Sequence, residues 1–109
     1  MISVQTEDFD HAIEYQRLRD SATSDGAIVT FTGLVRDFNI DGSVSRIFIE
    51  HYPSMTEKSL TDICDAAKKR WQLGNIRLIH RIGNVESHEQ IVFVGVTSKH
   101  RQNAFEACQ

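Results

Sequence analysis

The sequence predicts an α+β domain in which an antiparallel or mixed sheet is covered by helices. One observation behind this prediction is the order of the segments, which is helix, hairpin, helix, two strands and helix. A second is size, because 109 residues and 12.4 kDa fit one domain with a modest core. A third is continuity, since no linker, repeat or low-complexity tract separates the segments.

Four segments have the composition of strands. "AIVTFTGLVR", residues 27–36, is rich in β-branched and aromatic residues. "VSRIFIEH", residues 44–51, follows the turn signal Asp41-Gly42, so these two segments are expected to form a hairpin. Residues 75–83 alternate well enough for a third strand. "QIVFVGVTS", residues 90–98, is apolar on both faces, which predicts a central strand covered on each side.

The first and last segments favour short helices. Residues 7–20 form a helix candidate whose inward residues are expected to be Phe9, Ile13 and Leu18. After the final strand, Ser98 can cap another helix. One side of that helix carries Arg101, Phe105 and Cys108, with Ala104 and Ala107 close by.

A long helix is expected between the two pairs of strands. Ser54 and Glu57 have capping-box spacing, and Gly74 lies beyond the final turn as a stop signal. Because a buried free cysteine mostly behaves as a small hydrophobe, we interpret Cys64 of this helix as structural. The apolar residues with the spacing of a buried face are Leu60, Ile63, Cys64, Ala67 and Trp71.

Composition and charge exclude several classes of protein. The content of 40% hydrophobic and 25% charged residues is that of an ordinary globular chain. The formal net charge of -3 argues against general nucleic-acid binding, which usually requires a basic face. The sequence has no apolar run near the roughly 20 residues of a membrane span and no signal-type N-terminus, so we expect a cytosolic protein.

The residue types that often hold metals or cofactors show no such pattern here. Cys64 and Cys108 lie far apart and form no C-x-x-C pair, which removes the zinc-ribbon and thioredoxin-like interpretations. His51, His80 and His88 have no ligand partners at metal spacing, so no metal site is predicted. The glycines are scattered and form neither a Walker loop nor a dinucleotide fingerprint, and we expect no cofactor.

One local cluster of positive charge stands out in "VTSKHR". Lys99, His100 and Arg101 lie where a strand is expected to become a helix. The N-terminus of a helix carries partial positive charge, so cations there cost about 0.3 to 1 kcal/mol each unless an anion compensates. This arrangement indicates a bound anion. Two alternatives stay open: the side chains are solvated, or Arg101 pairs with Glu106 or another carboxylate.

A second cation occupies a comparable position. Arg36 ends the first predicted strand, immediately before the polar loop of residues 37–43. Strand ends that enter loops often carry binding residues on rigid supports. Arg36 is therefore a second candidate for anion binding, and the alternative is an ordinary arginine that faces water.

Several long motifs in register resemble one known family. These are "GAIVTFTGLVR", "IEHYPSMTEKSL", "RWQLG", "IHRIG" and "EQIVFVGVTSKHRQNAFEACQ". In this order and spacing they look like the large, catalytic subunit of molybdopterin synthase, over about residues 26–109. The resemblance implies a fold of the α/β hammerhead type with an added antiparallel sheet.

The resemblance also implies a reaction and partners. The family converts cyclic pyranopterin monophosphate (precursor Z) to molybdopterin. The sulfur arrives as a C-terminal Gly-Gly thiocarboxylate on a small ubiquitin-like subunit. Two large subunits form a dimer, and each binds one small subunit, which makes a heterotetramer. A homodimer would also supply cover for the second face of the strand at residues 90–98.

The family's pocket residues carry over onto matching positions. Its strand-end arginine in "TGxVR" corresponds to Arg36, and its His-Arg pair after "VTS" corresponds to His100 and Arg101. These two are the expected catalytic residues, since arginine can hold a phosphate bidentately and a histidine can bind as a cation or move a proton. The expected substrate-binding residues are Phe31, Leu34, Val35, Arg36, His100 and Arg101.

The main departure of the sequence from the family concerns the family's C-terminal segment. After the segment that matches "AFEACQ", the family continues into a "K-x-x-x-P-x-W-K" stretch whose two lysines are its principal catalytic residues. Residues 1–109 are therefore expected to be one domain that lacks the C-terminal part of the family domain. Either the chain is a portion of a longer protein or it is a truncated member. The alternative function is a non-catalytic anion-binding or assembly module of the same fold.

Overall fold

The computed structural model describes residues 2–21, 23–36, 46–49 and 53–108. The predicted α+β class is confirmed, because these residues form helices and a mixed sheet. In chain order the elements are β1 (Ile2–Gln5), α1 (His11–Ser21), β2 (Ala27–Leu34), β3 (Arg46–Ile49), α2 (Pro53–Trp71), β4 (Leu73–Arg81), β5 (Gly83–Glu86), β6 (Gln90–Ser98) and α3 (Arg101–Cys108).

The larger sheet has the strand order β1-β4-β6-β2. β1 runs parallel to β4, and β6 runs antiparallel to both β4 and β2. The prediction of a central strand at residues 90–98 is confirmed, because β6 has a neighbour on each side. β2 is an edge strand among the described residues.

The predicted hairpin between residues 27–36 and 44–51 is wrong. β2 pairs with β6, and β3 pairs with β5 in a separate two-stranded sheet. Ile28 and Val29 lie on opposite faces of β2, and each packs against a different hydrophobic cluster. Both can be covered because β2 belongs to the sheet that has helices on both faces. The strand β5 could not be predicted from the sequence because "GNVE" is too short to show alternation. The turn signal Asp41-Gly42 lies outside the described residues.

Helices cover both faces of this sheet. On one face, α1 places Leu18 against Ile79 and Phe93. Leu18 comes so close to the sheet that a Cβ at Gly95 would lie 2.3 Å from its Cδ1, so this position needs glycine. On the other face, α2 and α3 enclose a cluster of Cys64, Ile76, Leu78, Val96 and Ala104. The chain's own helices thus supply the cover for β6 that a second subunit was expected to provide.

Two inward-facing predictions on the helices are wrong. Ile13 is 51% exposed and Ile63 is 62% exposed, because each helix turns a neighbouring residue to the core instead. On α1 that residue is Glu14, a buried carboxylate paired with Arg77 of β4 at 2.8 Å. An amphipathic pattern in which a charged residue belongs to the buried face cannot be recognised from hydrophobicity alone.

The end of α2 also differs from the prediction. Gln72, not Gly74, terminates the helix, since it has a left-handed φ of 53° and its N–H donates to the carbonyl of Lys68 at 3.1 Å. Gly74 lies within β4. Pro53 occupies the first helical position, where its missing N–H costs nothing.

Candidate anion-binding site

The junction between β6 and α3 presents the predicted cation cluster. Lys99, His100 and Arg101 are all exposed, whereas Ser98 directly before them is 1% exposed. The Ser98 Oγ accepts a hydrogen bond from the backbone N–H of His100 at 3.3 Å, so Ser98 holds the turn that leads into α3 and lies before the cap position, which His100 occupies. Buried Ala104, whose N–H donates to the His100 carbonyl, fixes the first turn of α3 on the sheet.

No carboxylate within the described part of the chain neutralises this cluster by an ion pair. The ion pairs between described residues involve Arg17, Arg77 and Arg81. The Glu106 carboxylate, the suggested partner of Arg101, instead accepts hydrogen bonds from Trp71 at 3.0 Å and Gln102 at 3.3 Å. The exposed cations and the first-turn N–H groups of α3 therefore form an electropositive corner suited to an anion.

Arg36 is exposed just beyond the end of β2, on a tightly held support. Val35 is only 3% exposed, and its N–H donates to the Glu89 carbonyl at 2.9 Å. Its carbonyl accepts from the N–H of His88, which has a left-handed φ of 66°. Val35 therefore has little side chain to offer a substrate, and its contacts hold the backbone that carries Arg36.

The support continues into an ion pair below this loop. Arg81 Nη1 donates to the Glu89 carboxylate at 2.9 Å, and this hydrogen bond lowers the pKa of Glu89, with a smaller contribution from the N–H of Glu86. The guanidinium of Arg81, 7% exposed, also donates to the carbonyls of Thr6 and Gln90. The Arg36 end of the sheet is thus tied to the N-terminal strand and to β6.

Two apolar candidates lie on the edge strand between these regions. Phe31 is 54% exposed and Leu34 is 51% exposed. Phe31 pairs with Val94 in the strand register, and Leu34 follows a bulge after Gly33. Exposed apolar side chains on an edge strand can contact a ligand or a partner.

The predicted cations lie at opposite ends of the strand pair. Ala27 is opposite Ser98 and Leu34 is opposite Gln90, so His100 follows one end and Arg36 follows the other. At about 3.3 Å per residue, the length of β2 alone separates these ends by roughly 23 Å. The structure brings His100 and Arg101 together but keeps Arg36 apart from them within one chain. This separation could not be predicted from a hairpin of residues 27–36 and 44–51, because it depends on the pairing of β2 with β6.

The remaining candidate groups are the histidine, cysteine and carboxylate side chains elsewhere in the described ranges. Among the residues that the structure describes, no three His, Cys, Asp or Glu side chains lie close enough to hold a metal ion. Burial raises the pKa of the Cys64 and Cys108 thiols, which disfavours the reactive thiolate and fits a packing role. No described helix has the length and hydropathy to span a membrane.

Comparison with curated proteins finds close relatives. A molybdopterin synthase catalytic subunit of Vibrio cholerae is 54% identical over 108 residues, which cover 99% of this chain and 71% of the relative. The Escherichia coli protein of the same name is 58% identical over 85 residues, 78% of this chain and 57% of the relative. The match therefore spans between 57% and 71% of the length of these two relatives.

Solved structures agree with this relationship. The chain is similar to the molybdopterin biosynthesis MoaE protein from Burkholderia ambifaria, with a TM-score of 0.90, 39% identity and coverage of 99% of this chain and 70% of that one. At 18% identity, the fold alone also matches a protein–protein complex of subunits 1 and 2 of molybdopterin-converting factor from Helicobacter pylori, with a TM-score of 0.80 and coverage of 97% and 70%. The model of the family described as MoaE protein matches residues 4–109. The chain belongs to the MoaE protein family.

Proposed function

We propose that this chain acts as the catalytic subunit of a molybdopterin synthase. In this role it converts cyclic pyranopterin monophosphate to molybdopterin and is a sulfurtransferase that inserts the dithiolene sulfurs. Family membership and the names of relatives at 54% and 58% identity support the proposal.

The observation that carries the proposal is the cation cluster at the start of α3, which forms no ion pair with the residues that the structure describes. The substrate carries a phosphate and the sulfur donor carries a thiocarboxylate, so both reactants are anions that a positive corner would hold together. Arg101 can grip phosphate oxygens with two parallel N–H groups. His100, next to it and exposed, is placed to bind as a cation or to transfer a proton when the cyclic phosphate opens.

We further propose that Arg36 completes this site from a second copy of the chain. One phosphate is only a few ångströms wide, so it cannot touch both Arg36 and His100 across the length of β2 in a single chain. A two-fold dimer can bring the Arg36 end of one protomer to the His100 end of the other. In this proposal a dimer forms the complete site. It is not needed to cover β6, as the sequence had suggested.

The partner we propose is a small ubiquitin-like sulfur-carrier subunit. Its extended C-terminal Gly-Gly thiocarboxylate must reach the cations for sulfur transfer, and exposed Phe31 and Leu34 offer apolar contacts between the two ends of β2. Deleting the Gly-Gly tail of the small subunit should weaken its capture by this chain in a pull-down. Equal capture with and without the tail would contradict this placement.

Calorimetric titration with the precursor tests the site. Arg101→Ala and Arg36→Ala should each weaken binding by about 1.5 to 3 kcal/mol, since each removes a charge-assisted hydrogen bond to phosphate. Lys58→Ala, which removes an exposed positive charge from α2, is the matched control and should leave affinity unchanged. Unchanged affinity in both arginine variants, with the fold intact, would return these residues to a solvated role.

A further inference from the structure

A chain of hydrogen bonds lies directly beneath the cation cluster. The hydroxyl of Thr97, which is 0% exposed, donates to the Asp25 carboxylate at 2.8 Å. The same hydroxyl accepts from the backbone N–H of Asn75 at 2.8 Å. The Asn75 side chain in turn donates to the carbonyl and hydroxyl oxygens of Ser21 at 3.2 and 3.1 Å. Thr97 thus joins the last turn of α1, the start of β4 and the segment before β2.

Gly74 provides the space for this carboxylate. A Cβ built at Gly74 would lie 1.8 Å from Asp25 Oδ2 and 2.7 Å from Thr97 Oγ1. These contacts are far inside van der Waals separation and involve both partners of the hydrogen bond. The glycine that the sequence indicated as a helix stop therefore keeps open the position in which the Asp25 carboxylate meets Thr97.

Gly26, the residue after Asp25, binds Ser98, the residue after Thr97 in β6. The N–H of Gly26 donates to the carbonyl of Ser98 at 3.1 Å, and a Cβ at Gly26 would approach the Lys99 carbonyl oxygen to 3.1 Å. Asp25 therefore binds Thr97 through its side chain, and Gly26 binds Ser98 through its backbone. Ser98 is also the residue whose hydroxyl accepts from the N–H of His100.

We propose that Asp25 is a positioning residue. Its hydrogen bond to Thr97, made in the space that Gly74 leaves open, fixes the strand end from which His100 and Arg101 project. The value of this position to anion binding rests on the proposed function, but the geometry of the strand end does not. A single hydrogen bond to a charged acceptor contributes more than a neutral one, and losing the Thr97 hydroxyl also leaves the Asn75 N–H without its acceptor. Displacement of the strand end by about one ångström would misdirect both cations.

The first experiment uses the whole chain without any ligand. Thr97→Val keeps the shape of the side chain and removes the hydroxyl, while Thr97→Ser keeps the hydroxyl and is the matched control. Nuclear magnetic resonance should show the backbone and ring signals of His100 shifted in Thr97→Val but near their wild-type positions in Thr97→Ser. Amide exchange at Gly26 and Asn75 should accelerate about tenfold in Thr97→Val alone.

The Arg36 end of the sheet separates positioning from general stability. The amides of Val35 and His88, which belong to the other network, should keep wild-type signals in both variants. Asp25→Ala and Gly74→Ala disturb the same pair from the carboxylate and from β4, so they repeat the test if Thr97→Val does not fold. Unmoved His100 signals in the folded variants, or shifts spread equally to Val35, would overturn the proposal.

A titration with inorganic phosphate then connects the position to binding. Phosphate should shift the His100 and Arg101 amides of the wild type, and the apparent affinity should fall about fivefold or more in Thr97→Val and be restored in Thr97→Ser. Equal phosphate affinity in Thr97→Val would overturn the positioning role. If phosphate shifts nothing in the wild type, anion binding by the cluster fails, while the ligand-free His100 signals still decide whether Asp25 holds the strand end.

Discussion

The two ends of the β2–β6 strand pair offer the same kind of side chain on different supports. At one end Arg36 projects from a loop held by the ion pair between Arg81 and Glu89. At the other end His100 and Arg101 project from a turn held by the hydroxyl of Thr97 and a carboxylate. A cation that binds a ligand cannot also be held in place by an ion pair of its own. At both ends, hydrogen bonds of neighbouring residues hold the backbone that carries the cation.

The two supports differ in the charge of their central side chain. The Arg36 end relies on a buried guanidinium whose donors go to a carboxylate and to backbone carbonyls, so many polar groups depend on Arg81. The His100 end relies on one neutral hydroxyl between Asp25 and the Asn75 N–H. Removing the central residue should therefore cost more stability at the Arg36 end, and pH should act there more strongly.

The largest expected effect comes from Arg81→Leu. It removes the buried guanidinium that donates to the Glu89 carboxylate and to the Thr6 and Gln90 carbonyls, and the loss of a whole hydrogen-bond network is among the most destabilising single changes. We expect the free energy of unfolding to fall by about 2 to 4 kcal/mol in urea denaturation. Arg19→Leu, on the exposed surface of α1, should change it by less than about 0.5 kcal/mol. A loss no greater than that of the control would contradict the importance of this network.

A smaller effect is expected from acid. Because Arg81 lowers the pKa of Glu89 in the folded chain, the ion pair contributes stability above the ordinary glutamate pKa of 4.5 and loses it as the pH falls below that value. Glu89→Gln should therefore flatten the dependence of unfolding free energy on pH in this acidic range. Glu86→Gln, three residues earlier and exposed, should keep the wild-type slope. Identical slopes in the two variants would remove the proposed pH difference between the ends.

Much of the sheet could be predicted from the sequence, because hydrophobic runs identify strands without reference to their neighbours. The pattern in residues 90–98 predicted a central strand, and β6 has this position. Pairing was less accessible. The signal Asp41-Gly42 favoured a local hairpin, but the neighbour of β2 is decided by which faces must be covered, a property of the whole sheet.

The residues of the candidate site stay predictions, and the distance between them along β2 could not be derived from local patterns. Exposed His100 and Arg101 follow from a cationic triplet at the start of a helix, which is a local pattern. Asp25 and Thr97 could not be found that way, since they are 72 residues apart and meet only when β2 aligns with β6. The role of Gly74 could not be predicted locally either, because the carboxylate that leaves no room for a Cβ there is distant in the sequence.

The separation of Arg36 from His100 is tested most directly by mixing two variants that each bind the precursor weakly. Arg36→Ala and Arg101→Ala chains are unfolded together, refolded at equal concentration and titrated with the precursor by calorimetry. If each site takes Arg36 from one protomer and Arg101 from the other, random pairing makes half of the dimers mixed and gives each of these one intact site, so about a quarter of all sites should bind with wild-type affinity. If both residues act from the same chain, mixing restores no tight site, and that result would contradict the account.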